Sequence, residues 1–107
     1  MKKVTLAVLV LALSVPQAAS AQTVTSSLLG LFEITKDNIM ASAQMLDEEL
    51  YAFRPTDEVR SMGELFAHIA NAQYAFCSAA AGESSPATEN FEETRTTKAS
   101  IIEALEI

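Results

Sequence analysis

The chain is poor in the residues that build most active sites. It has one histidine, His68, and one cysteine, Cys77, and no tryptophan. A single cysteine excludes an internal disulfide. A single imidazole excludes an H-x-x-x-H metal pair and leaves one donor where a tight site needs three or four. No G-x-S-x-G elbow and no glycine-rich phosphate loop occurs, so neither hydrolase-type Ser-His-Asp chemistry nor nucleotide cradling is indicated. Basic residues are scarce as well: 7 Lys and Arg stand against 14 Asp and Glu. An acidic surface without a basic cluster repels phosphate backbones and anionic lipid headgroups, which disfavours nucleic acid and membrane surfaces as partners.

The N-terminus does hold an apolar run. Met1-Lys2-Lys3 is a basic start, Val4–Val15 is broken only by Thr5 and Ser14, and Ala19-Ser20-Ala21 offers small residues after Pro16. This is the layout of a secretory signal peptide. The run is too short for a membrane span, which takes ~20 apolar residues. The expectation is a signal peptide over 1–21, cleaved after Ala21, and a secreted or periplasmic mature chain over 22–107. Lys2 and Lys3 leave with the leader, so 5 basic residues then face 14 acidic ones, a balance of −9. The 86 residues from Gln22 are few for one core.

No strand-like alternation is sustained, and three helical segments stand out. The first runs from about Thr25 into the mid-forties, with Leu28, Leu31, Phe32, Ile39 and Leu46 as a core-facing stripe. A connector follows. Arg54-Pro55 breaks helical geometry, Pro55-Thr56-Asp57 reads as a turn, and Tyr51 and Phe53 are expected to tuck under the helices. Asp47-Glu48-Glu49 reads as a solvated helix end. It lacks the loop spacing of a calcium motif. The second helix opens with Ser61-Met62-Gly63-Glu64, an S-x-x-E capping box, and ends before Gly82. Its expected core stripe is Met62, Leu65, Ile69, Ala72, Phe76 and Ala80. Met40, Met45 and Met62 are expected to fill the core, and Cys77 to be buried as a small apolar residue. After the polar loop Glu83–Asn90, a third helix starts near Thr97 or Lys98 and carries Ile101, Ile102, Leu105 and Ile107.

The fold class this implies is all-α, an antiparallel helical bundle. The third helix ends on a bare apolar stripe, so either more chain or a partner is expected to cover it. A homodimer through Ile101, Ile102 and Leu105 is one such arrangement.

His68 lies about 60° from Leu65 on the wheel, at the border of the expected stripe. Ala72, Ala75 and Ala79 follow it along the helix, and small residues there leave room for a neighbour or ligand. Glu64, one turn earlier, is the acidic residue placed to accept from the ring, although the capping box competes for that carboxylate. Residue type and spacing favour a packing role for His68 over a ligand or catalytic one.

The stretch Asp37–Glu83, with "DNIMASAQ" and "LYAFRPTDEVRSMGELFAHIANAQYAFCSAAAGE", followed by "TKASIIEAL", resembles the DinB-like superfamily. A weaker resemblance extends from Ser26 to the end. It implies a four-helix bundle, here stopping inside the third helix. It also implies a divalent metal, Zn or Ni, held by three histidines, of which His68 takes the second-helix position and the other two form a later H-x-x-x-H pair. By the same resemblance the activity is that of a thiol-dependent transferase or isomerase. The later pair is absent from these residues, so one imidazole would hold a metal only weakly. The alternatives are a non-catalytic helical interaction module and an inactive truncated fragment.

Overall fold

A computed structural model describes the backbone of residues 16–106 and the side chains of residues 24–106. The expected leader lies outside the described residues as far as Val15, and Ile107 lies outside them too. Four α-helices and one 3₁₀ segment are found among the described residues, and no strand. The all-α expectation holds. The helices are α1 (Pro16–Met45), α2 (Met62–Ala81), α3 (Phe91–Thr94) and α4 (Lys98–Leu105), with the 3₁₀ segment Glu48–Ala52 between α1 and α2. No described helix is long and apolar enough to cross a membrane.

The chain divides into two units, one ending at Lys36 and one running from Asp37 to Ile107. The described part of the first is helix alone. Lys36 pairs with Glu33 at 3.6 Å, one turn apart, and the Thr35 hydroxyl donates to the Leu31 carbonyl at 2.8 Å. Leu28 and Leu31, expected to face a core, are exposed. Periodicity shows which face of a helix is apolar. It does not show that a surface exists to cover it.

The second unit holds the core. Ala43 near the end of α1, Tyr51, Phe66, Ala67 and Ala70 of α2, Phe91 of α3, and Ile101, Ala104 and Leu105 of α4 form one buried cluster. Ile39, Met40, Leu46, Met62 and Ile69 pack against it half-buried. The α2 helix is central and lies against α4, α3 and the 3₁₀ segment. Its start is set by the expected capping box: the Glu64 amide donates to Ser61 Oγ at 3.2 Å, and the Ser61 amide donates to the Glu64 carboxylate at 2.7 Å. Its end is set by Gly82 at φ 71°, in the left-handed region that glycine adopts without penalty. The Glu83 amide then closes back onto the Ser78 carbonyl at 2.9 Å.

The buried face of α2 differs from the expected one. Gly63, Phe66, Ala67 and Ala70 face inward, while Leu65 and Phe76 are exposed, Phe76 at 73%. Small residues decide this. A Cβ on Gly63 would stand 3.1 Å from the Tyr51 carbonyl oxygen and 3.3 Å from Ile101 Cδ1. The glycine and two alanines let the 3₁₀ segment and α4 approach the α2 backbone, and hydropathy alone ranks them below Leu and Phe. Cys77, expected to be buried, is exposed. Met45, at the very end of α1, is 83% exposed and fills no core space. Tyr51 is buried as expected, but Phe53 is exposed.

Helix ends leave carbonyls without intrahelical partners, and at the end of α1 two side chains take them. The Tyr51 hydroxyl donates to the Ala43 carbonyl at 2.6 Å. Lys98 Nζ donates to the Gln44 carbonyl at 2.8 Å and also to that of Leu46, placing a cation at the negative end of the helix dipole. Thr97 caps α4 by accepting from the Ser100 amide. Ile101 and Leu105 of α4 are 1% and 2% exposed. The stripe expected to lie bare and offer a dimer surface is therefore inside this chain's own core, with Ile102 half-buried beside it.

Candidate functional site

His68 sits on α2 one residue beyond the buried Ala67, so the helix holds its ring at the edge of the core with 45% of the side chain exposed. Its partner is not Glu64. The Glu64 carboxylate is occupied by the Ser61 amide and by Arg54, whose Nη2 donates to both of its oxygens at 2.9 and 3.0 Å. These bonds, the Ser61 one foremost, hold the Glu64 carboxyl below the usual carboxylate range. The ring turns instead to Glu92, with Nδ1 2.6 Å from Glu92 Oε1.

Glu92 comes from α3, whose position is fixed locally. Asn90 caps this single turn by accepting from the Glu92 amide at 3.2 Å. Asn71, one turn after His68 on α2, donates to Asn90 Oδ1 at 2.6 Å and accepts from the Phe91 amide at 3.0 Å. Phe91 is buried and meets Tyr74 edge-on at 5.5 Å between ring centres. With Phe91 pinned, Glu92 next to it is held beside α2.

The second oxygen of Glu92 is also taken: Arg60 Nε donates to Oε2 at 2.6 Å. The Arg60 hydrogen bond is the main influence that holds the Glu92 carboxyl below its usual range. Burial works against it, and the bond to His68 adds to the lowering. Glu92 is thus an ionised carboxylate that accepts at both oxygens. A carboxylate has no proton to give, so the proton in the His68–Glu92 bond is on Nδ1. The opposite ring nitrogen, Nε2, has no hydrogen-bond partner among the described residues, and His68 lines an open depression of about 560 Å³ together with Asn71, Phe76, Asn90 and Glu89.

The sequence placed His68 at the border of the core, where it lies, and missed its neighbours Glu92, Asn71 and Arg60. A signal for α3 was present: Asn90 followed three residues later by Glu93 is a helix-start pattern, and Asn90 Nδ2 does reach Glu93 Oε1 at 2.8 Å. Among the described residues no group of three or more His, Cys, Asp or Glu gathers as a metal site. The residues present fit one metal donor, Nε2 of His68, oriented by a carboxylate on the other nitrogen, and not a complete ligand set.

An all-α protein with a capped central helix that presents one anchored imidazole at its rim is the class these features define. The model of the DinB superfamily matches residues 31–107, and the chain belongs to that superfamily. Comparison with curated proteins and with solved structures returned no match.

Proposed function

We propose that this chain is the N-terminal part of an exported, metal-dependent DinB-superfamily enzyme, of the thiol-transferase type, in which His68 supplies one metal ligand through Nε2. One observation carries the reading. The only imidazole of the chain has Nδ1 tied to an ionised carboxylate and Nε2 bare at a half-exposed rim. A packing histidine needs no such arrangement, whereas metal-ligating histidines commonly donate their second ring N–H to a carboxylate. The family resemblance assigns the same residue. The remaining donors, a later histidine pair by that resemblance, lie outside these 107 residues, which hold no second histidine. A bound divalent ion supplies acidity to a coordinated water or thiol. The chain's own part is to hold His68 at a fixed angle and to leave one side of it open to solvent. Export rests on the basic, apolar and small-residue layout of residues 1–21.

The test is metal analysis of the protein purified from its natural source. Bound zinc or nickel that is lost on His68→Ala supports the proposal. Metal content unchanged by that substitution, or no metal in the wild type, overturns it.

A further inference from the structure

Arg60, Glu92 and His68 form a chain of alternating donors and acceptors across three segments: the connector before α2, α3 and α2. We infer that Glu92, locked by Arg60, is the positioning residue that fixes the His68 tautomer, keeping the proton on Nδ1 and the lone pair on Nε2. The inference rests on the metal reading for its purpose and on geometry alone for its content.

The argument is one of donors and acceptors. Arginine has only donors, so whatever stands at position 92 must offer it an acceptor. Glutamate has two acceptor oxygens, one for Arg60 Nε at 2.6 Å and one for His68 Nδ1 at 2.6 Å. Glutamine has the same shape but one oxygen and one NH₂. In Glu92→Gln the oxygen must serve Arg60, and the NH₂ then points at His68 Nδ1. That nitrogen becomes the acceptor, and the ring proton moves to Nε2, the nitrogen that would bind a metal. An isosteric change that leaves the packing intact thus reverses the ring. Removing Arg60 as well frees the amide to turn its oxygen toward Nδ1, and the original tautomer returns. A role for Glu92 in packing alone predicts neither the reversal nor the return.

The experiment is ¹⁵N NMR of the imidazole in the full chain near pH 8. A single histidine makes the assignment unambiguous. Wild type is expected as the Nδ1–H tautomer, Glu92→Gln as predominantly Nε2–H, and Arg60→Ala/Glu92→Gln as predominantly Nδ1–H again, with far-UV circular dichroism equal in all three. Wild type in the Nε2–H form, or a Glu92→Gln spectrum like that of wild type, overturns the inference. Should a variant lose its helical signal, Glu92→Asp in the full chain takes its place. The shorter carboxylate still has no proton to give but cannot span both partners, so a fall in the Nδ1–H fraction supports the inference and an unchanged fraction overturns it. Zinc added to the same samples, with metal analysis of the natural protein, separates this inference from the metal reading. With the tautomers as expected, zinc affinity about 10–100-fold weaker in Glu92→Gln than in wild type supports both. Tautomers as expected, with no metal in the protein purified from its natural source, leave the Glu92 role standing and overturn the metal reading.

Discussion

Asn71 and Asn90 face each other between α2 and α3, with Asn71 Nδ2 donating to Asn90 Oδ1 at 2.6 Å while the other end of the Asn71 amide accepts from the Phe91 backbone. This clasp lets a four-residue helix hold a carboxylate in place. A single turn has no stability of its own, so α3 depends on Asn71 and on the burial of Phe91.

Asn71→Ala should therefore destabilise the fold by about 1–3 kcal/mol, because it leaves the part-buried Phe91 amide without a partner. Urea unfolding followed by circular dichroism measures it. A loss under 0.5 kcal/mol, roughly the scale of a neutral surface change, would show that α3 is held by Phe91 alone.

The buried face of α4 and the exposed apolar face of α2 make opposite predictions. Leu105→Ala removes a side chain 2% exposed and should cost about 2–5 kcal/mol. Leu65→Ala and Phe76→Ala, on the face that hydropathy would choose, should each stay within about 0.5 kcal/mol. Thermal melts of the three variants check the ranking. Equal losses would return Leu65 and Phe76 to a buried face.

Gly63 is where α2 touches the 3₁₀ segment and α4. Gly63→Val adds carbons where a Cβ alone would already stand 3.1 Å from a backbone oxygen, and overpacking of that kind costs about 1–3 kcal/mol. Denaturant midpoints against wild type give the value, and a variant as stable as wild type would mean that the two segments part without loss.

Glu64 gives a pH dependence of defined sign. Its folded-state carboxyl lies below the ordinary value of 4.5, through the Ser61 amide first and Arg54 second. A lowered folded value favours the native state above the unfolded value, and that contribution is lost as pH falls through the folded one. Wild type should thus lose its stability advantage over Glu64→Gln as pH is lowered from 6 through 4.5 and below. Melting temperatures across that range test the sign. A gap that widens toward acid would contradict it.

Cap chemistry made much of this structure legible beforehand. The Ser61/Glu64 box, the Gly82 stop and the Thr97 start are local, since a few backbone groups and one side chain determine each of them. The resemblance that placed His68 rested on "FRPTDEVRS", and part of that segment does structural work: Arg54 binds Glu64, and Arg60 binds Glu92. What could not be read was non-local. Gly63 becomes core only because Tyr51 and Ile101 come against it, and Ala67 and Ala70 are buried in the cluster that other segments complete. Glu92 is 24 residues from His68, and no helical spacing links them, whereas Glu64 had the spacing and was already taken.

The central claim is that His68 offers Nε2 to a metal. The most direct measurement is a zinc titration of the chain followed through the two ¹⁵N resonances of its one imidazole. A saturable shift of Nε2, with Nδ1 still protonated, is the predicted result. Zinc that leaves Nε2 unmoved even at the high concentrations a lone imidazole needs, or that displaces the Nδ1 proton instead, would contradict it.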